Sequence, residues 1–163
     1  MEEKIKTIDE IEDICIKLRQ DKKKIVTTNG AFDILHYGHV TYLEKSKKEG
    51  DILIVLLNSD DSIKMLKGDK RPIIPEKERA LILAALSCVD YVVIFNDNKP
   101  LDYIRRIKPY IHTKGAEVSG ETRNFINNWG GEYKSIGLEK GLSTTNIVKT
   151  ILERYFASSP NFE

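Results

Sequence analysis

The chain is poor in the residues that would advertise a disulfide scaffold, a metal cluster or a membrane anchor. It has two cysteines, Cys15 and Cys88, with neither metal-ligand nor redox-motif spacing, so they are expected as small apolar residues inside helices. It has three histidines and one tryptophan. No run approaches the ~18 apolar residues of a membrane span. The first ten residues, MEEKIKTIDE, lack the apolar segment of a secretory leader. Neither sign of charge dominates, with 26 Lys and Arg against 25 Asp and Glu, so no global field points to nucleic acid or to an acidic bilayer. A cytoplasmic protein with no nucleic-acid or membrane partner is the expectation.

What is present reads as strands alternating with helices. KTIDEIEDICIKLRQDKK carries Ile8, Ile11, Ile14, Cys15 and Leu18 at helical spacing. KIVTTNG is a β-branched run closed by Gly30, and a helix follows from about Gly38 to Lys48. DILIVLLN is almost wholly apolar, as a strand buried on both faces is. Residues 59–74 read as a short helix and the polar loop KGDKRPII; Pro75 opens a helix through ERALILAALS. YVVIF, PYIHTKG and EYKSIG are further strands, NKPLDYIRRI a short helix, and a last helix starts near STTN. The pattern predicts βαβ units and a Rossmann-like αβα layering on a five-stranded parallel sheet of order 3-2-1-4-5. One domain is expected over residues 1–163, with its core at about 7–156 and a frayed tail at 157–163.

In such a sheet, ligands bind beyond the carboxyl ends of the strands. There the chain places TTNGAFDILHYGHV, which holds two of its three histidines, His36 and His39, three residues apart. Gly30 lets backbone N–H groups approach a ligand, and Gly38 lets the helix begin tightly. A helix N-terminus favours anions, and two imidazoles beside it can donate to phosphate oxygens. Metal ligation is the weaker reading, because no cysteine or glutamate stands nearby at ligand spacing. Acid–base catalysis is open to any histidine. KGDKRP, TKGAEV and GLSTTN leave later strands and are expected at the same edge.

The joint pattern of a strand, GxFDxxHxGH, a helix and a late GLSTTNIVK resembles the cytidylyltransferase-like nucleotidyltransferase family, over roughly residues 7–153. NSD…KGDKRP…R, VDYVV, and the lysine and glycine of TKGAEV look like its sugar-phosphate branch. That resemblance implies transfer of a nucleotidyl group to a sugar phosphate with release of pyrophosphate, ATP and heptose 1-phosphate giving ADP-heptose. Other members leave alternatives: a glycerol-phosphate or other alcohol-phosphate cytidylyltransferase, an FAD synthetase-like enzyme, or a non-catalytic nucleotide sensor. It further implies a homo-oligomer and Mg²⁺ held mainly by the nucleotide phosphates, with no protein cage.

By the same resemblance, His36, His39, Lys67 and Arg71 carry the transition state. Asn29, Gly30, Ala31, Phe32, Gly38, Lys114, Glu117, Ser143, Thr144 and Thr145 receive the nucleotide. Asp33, Asn58 and Asp60 serve the second substrate, although Asp33 could equally fix the turn. Arg79, in an otherwise apolar helix, is open between an internal ion pair and a ligand contact. His112 lies in a strand outside the motif and is read as structural.

Overall fold

The computed structural model describes residues 1–97, 100–115, 120–137 and 143–156. Glu117 and the segment 157–163 lie outside the described residues. Five strands, β1 (Ile25–Gly30), β2 (Ile52–Asn58), β3 (Tyr91–Phe95), β4 (Ile111–Lys114) and β5 (Glu132–Ser135), form one sheet of order β3-β2-β1-β4-β5. All four neighbouring pairs are parallel, as the sequence predicts. The helices are α1 (Ile8–Gln20), α2 (Tyr37–Lys47), α3 (Asp60–Lys67), α4 (Glu76–Ala85), α5 (Leu101–Ile107), α6 (Gly120–Asn127) and α7 (Thr144–Phe156).

The period-2 alternation of β2 shows why the sheet needs covering twice. Leu53, Val55 and Leu57 pack on one face with Tyr42 and Leu43 of α2 and Ala80, Leu83 and Ala84 of α4. Ile54 and Leu56 pack on the other with Ile11 and Cys15 of α1, Ile104 and Ile107 of α5, and Ile126 of α6. The result is three layers. Helix α1 is started by a capping box, in which Thr7 accepts from the Glu10 backbone N–H and Glu10 accepts from that of Thr7.

Three local expectations are revised. Cys88 is in the turn after α4, not in a helix, because α4 ends at Ala85. Pro75 caps α4 from outside, since its ψ of 149° is extended. Helix α6 is an addition to the elements expected from the sequence; Phe125 and Ile126, with Trp129 in the turn beyond, make only a short apolar patch, yet adjacent parallel strands β4 and β5 demand such a crossover.

A chain of buried hydroxyls fastens α2 to the sheet. Thr28 Oγ1 of β1 is 2.6 Å from Tyr42 Oη, and the Thr113 hydroxyl of β4 donates to Ser46 Oγ at 3.0 Å. His112 is also buried, with Nδ1 2.8 Å from Thr27 Oγ1, which supports its structural reading. Burial, with Lys114 close by, pushes its pKa down to about 3. The unfolded chain therefore binds a proton at His112 that the folded chain refuses. The stability this confers is complete above the ordinary histidine pKa near 6.5 and is lost as pH falls from there through about 3. Thermal melts should show the transition falling between pH 6.5 and 4, with a shallower fall for His112→Gln, in which nothing titrates at that position.

Candidate active site

Beyond the carboxyl ends of β1 and β4 lies a cavity of about 270 Å³. These strands are neighbours, and the crossovers leaving them cover opposite faces of the sheet, which opens the crevice there. The strand ends contribute Asn29, Gly30, Lys114 and Gly115 to its wall. The turn after β1 contributes Ala31, Phe32 and Asp33, and helix α2 contributes His39 and Tyr42. Lys67, Arg71 and Thr144 close it from the α3 end, the loop beyond and the start of α7. All four loops that the sequence brings to this edge are thus represented.

The turn after β1 is built tightly. Phe32 holds a left-handed φ of 42°, which a non-glycine residue adopts at a cost of about 1 kcal/mol. Its ring folds back over Gly30, where an added Cβ would stand 3.0 Å from the ring. The same ring meets His39 edge-on, with centroids 5.2 Å apart. Glycine at position 30 is therefore needed by Phe32, and Phe32 in turn buttresses His39.

His36 is the N-cap residue of α2 and His39 lies in its first turn. Their rings stack, with centroids 3.8 Å apart and planes inclined by 22°. His36 does not itself line the cavity; it backs His39. Among the described residues, three buried side-chain nitrogens have no hydrogen-bond partner, and all three belong to this pair: both nitrogens of His36 and Nδ1 of His39. Unpaired buried polar atoms are costly and rare in finished cores. Burial lowers the pKa of His36. Burial first, then His36 and Lys67, push that of His39 down to about 4. The pair is neutral at neutral pH, a stack of hydrogen-bonding groups whose capacity the described residues leave unused.

Cations surround it. Lys67 ends α3 and is held near the site by the turn at Gly68, whose φ of 85° suits glycine. Burial, then Arg71, lowers its pKa. Lys114 donates from Nζ to the Asn29 carbonyl at 3.2 Å, and burial lowers its pKa too. Gly38 is buried in the first turn of α2. Thr144 is buried at the start of α7, Thr145 is exposed, and Ser143 accepts the Asn146 N–H at 3.1 Å, so its oxygen caps the helix.

Three of the residues expected at the second substrate are committed within the protein. Asp33 is buried, and both its oxygens are taken: Oδ1 accepts from the N–H groups of Ile73 and Ile74 at 2.9 Å, and Oδ2 from Arg71 Nε. It holds the 71–74 loop over the cavity and orients Arg71. Asn58 donates to Ser62 Oγ at 2.9 Å. Asp60 pairs with Arg79 at 2.6 Å. Neither Asn58 nor Asp60 lines the cavity. Tyr42 joins the wall without having been singled out by motif; it sits one turn after His39 on α2, a spacing that puts it on the same face.

Arg79 is the internal tie, only 1% exposed. Its guanidinium donates to the carbonyls of Ala31 at 2.6 Å, Asn58 at 2.9 Å and Ile74 at 2.8 Å, besides Asp60. One side chain thus joins the exits of β1 and β2 to the loop carrying Arg71. Among the described residues, no group of three or more His, Cys, Asp or Glu side chains is placed to hold a metal ion. No helix there is long and apolar enough to cross a membrane.

Residues 27–161 match the family model described as cytidylyltransferase-like, which spans most of the chain and every loop of the cavity. The chain belongs to the cytidylyltransferase-like family. It is 47% identical over 155 residues to the bifunctional protein HldE of Syntrophotalea carbinolica, a match covering 93% of this chain and 32% of that protein. It is 50% identical over 141 residues to the bifunctional protein HldE of Helicobacter pylori strain J99, covering 86% of this chain and 30% of that one. The chain thus spans about a third of the length of the curated relatives it matches. A solved relative is the lipopolysaccharide core biosynthesis protein from Thermoplasma volcanium. It is 32% identical, superposes with a TM-score of 0.61, and matches over 72% of this chain and 97% of that one.

The role of Arg79 is open to direct measurement. Arg79→Met keeps the bulk but leaves the buried Asn58 carbonyl, the part-buried carbonyls of Ala31 and Ile74, and Asp60 without their donor. Urea unfolding should show a loss of about 3–5 kcal/mol. Arg79→Lys should recover little of it, because an ammonium cannot span four acceptors.

Proposed function

We propose that this chain is a nucleotidyltransferase that joins a nucleoside triphosphate to a sugar phosphate with release of pyrophosphate. ATP and heptose 1-phosphate, giving ADP-heptose, are the substrates we assign. The family match and the HldE relatives support the reaction class and this branch. The observation that carries the reading is the stacked histidine pair with its unpartnered nitrogens, set among Lys67, Arg71 and Lys114. We assign the reaction to the cytoplasm and expect a homo-oligomer.

A phosphate oxygen of the sugar phosphate attacks the α-phosphorus of the triphosphate, and the bond to pyrophosphate breaks. A phosphomonoester is already largely dianionic near neutrality, so the nucleophile needs no strong base. The protein's task is to hold two polyanions together and stabilise the charge that grows on the transferred group and on the leaving pyrophosphate. Backbone at Gly30, Ala31 and Phe32 approaches the nucleotide, and the histidine pair donates N–H groups to its phosphates. Lys67, Arg71 and Lys114 offset the charge, with the α7 N-terminus at Ser143, Thr144 and Thr145 as a further anion site. Mg²⁺ accompanies the nucleotide. It would be held mainly by the phosphates, as their counter-ion.

Pyrophosphate release in the presence of Mg²⁺, with ATP, CTP and GTP each offered against heptose 1-phosphate and glycerol 3-phosphate, tests the proposal. Turnover with ATP and heptose 1-phosphate alone is expected. Turnover with CTP and glycerol 3-phosphate instead would discard the branch. His39→Ala should lower kcat by about 10²–10⁴ with the fold retained; an unchanged rate would remove the histidine from the mechanism.

Nucleotide binding should also take up protons. In the ligand-free site His39 titrates near 4 and His36 below its ordinary value. A triphosphate beside them favours their charged forms and raises both pKa values. Calorimetric titration with ATP near pH 6, repeated in buffers of different ionisation enthalpy, should reveal net uptake, and His39→Ala should reduce it.

A further inference from the structure

At the opposite end of the sheet, at the amino ends of β1, β4 and β5, lies a second cavity of about 380 Å³. Nothing in the proposed reaction uses it. Five cationic side chains line it: Arg19, Lys22, Lys23, Lys24 and Lys108. No carboxylate does. Among the described residues none of the five is in an ion pair, in a chain whose net charge is only +1.

The cations have an ordinary explanation to overcome. Helices α1, α5 and α6 all end here, and basic residues commonly offset helix C-termini. Each terminus carries about half a negative charge, so three of them balance less than half of the five positive charges. Only Arg19 is engaged in that way, donating to the Ile107 carbonyl at 2.7 Å. The surplus is a positive field that no carboxylate in the cavity wall offsets.

Two lysines are also placed where glycine would be the easier residue. Lys22 has φ 56° and Lys108 φ 47°, both in the left-handed region that an L side chain enters with strain. Both follow helix ends, the position at which glycine is the usual choice. A strained lysine in each place is hard to explain by chain reversal alone and easy to explain by what its ammonium does at the cavity rim. The wall supplies an aromatic surface as well. Tyr110 is half-exposed, with Lys24 Nζ 5.1 Å from its ring centroid. Trp129 is held by its N–H donating to the Pro109 carbonyl at 3.0 Å.

We infer that this cavity is a second binding site, separate from the histidine site, for a small ligand bearing a diphosphate, either free diphosphate or a nucleotide. Adjacent lysines match adjacent phosphates as point charges, and the volume suits a mononucleotide. The site stands on its own residues and does not depend on the proposed reaction.

Trp129 is the chain's single tryptophan, so its fluorescence reports on this cavity alone. Intrinsic fluorescence is titrated with pyrophosphate and with ADP at low salt, on the full chain. Three proteins are compared: wild type, Lys22→Gly/Lys108→Gly, and His39→Ala/Lys67→Ala. A saturable change with one probe or both is expected for wild type, and which probe acts tells free diphosphate from nucleotide. It should persist in the histidine-site variant. In the glycine variant its midpoint should rise by about tenfold or more, while the melting temperature stays at or above that of wild type. That pairing separates a ligand role from a structural one, because glycine is the more comfortable residue at both positions. No saturable change with either probe, a change that survives in the glycine variant, or one that vanishes in the histidine-site variant would each overturn the site.

Discussion

The buried guanidinium of Arg79 is the constraint on which the cavity edge of the sheet depends. A parallel sheet leaves the carbonyls at its strand exits without ladder partners, and the exits of β1 and β2 must stay close if their loops are to share one cavity. Arg79 supplies donors to both exits and to Ile74, and a charge to Asp60, from one rigid planar group. Its fit comes from having all its acceptors in place. An arginine buried without them would be prohibitive. Asp33 does the complementary work with an anion, gathering two backbone N–H groups and Arg71. The two side chains, of opposite sign, meet on one short loop, Asp33 taking the N–H of Ile74 and Arg79 its carbonyl, and that loop sets where Arg71 stands over the cavity.

Around this frame the polarity of the site is set by burial. Desolvation keeps the histidine pair neutral, and at His39 the neighbouring His36 and Lys67 reinforce it. The imidazoles are stacked at 3.8 Å, a separation two like charges would oppose. The unmatched nitrogens and the excess of cations point the same way, and both are what the proposed nucleotidyl transfer asks of an anion site.

Much of this frame is legible in the amino-acid sequence, and the legible parts share a cause. Strand order, layering and the convergence of four loops follow from period and punctuation, which act along the chain. DILIVLLN reads as a strand covered on both faces. GAFDILHYGH reads as a tight strand-to-helix corner. Side-chain partners are not legible in this way. Asp33, Asn58 and Asp60 are polar residues at strand exits, where ligand contacts and internal ties look alike in sequence. Their partners, Arg71, Ser62 and Arg79, are defined only once the chain has folded back. Helix α6 escapes a periodicity reading because its large apolar residues are only the adjacent Phe125 and Ile126, although topology alone requires a crossover there.

The hydroxyl chain beneath α2 has a further effect. A helix seated only by aliphatic contacts can slip by a turn and still bury nearly the same area. Here Tyr42 must meet Thr28 while Ser46, one turn on, meets Thr113. A slipped helix would strand those polar groups in an apolar layer, at about 1–3 kcal/mol for each. The network contributes little to net stability, because water would satisfy the same hydroxyls in the unfolded chain. What it confers is singularity: of the many near-equivalent seatings a greasy helix could sample, one survives, and the two imidazoles at its start have a single address.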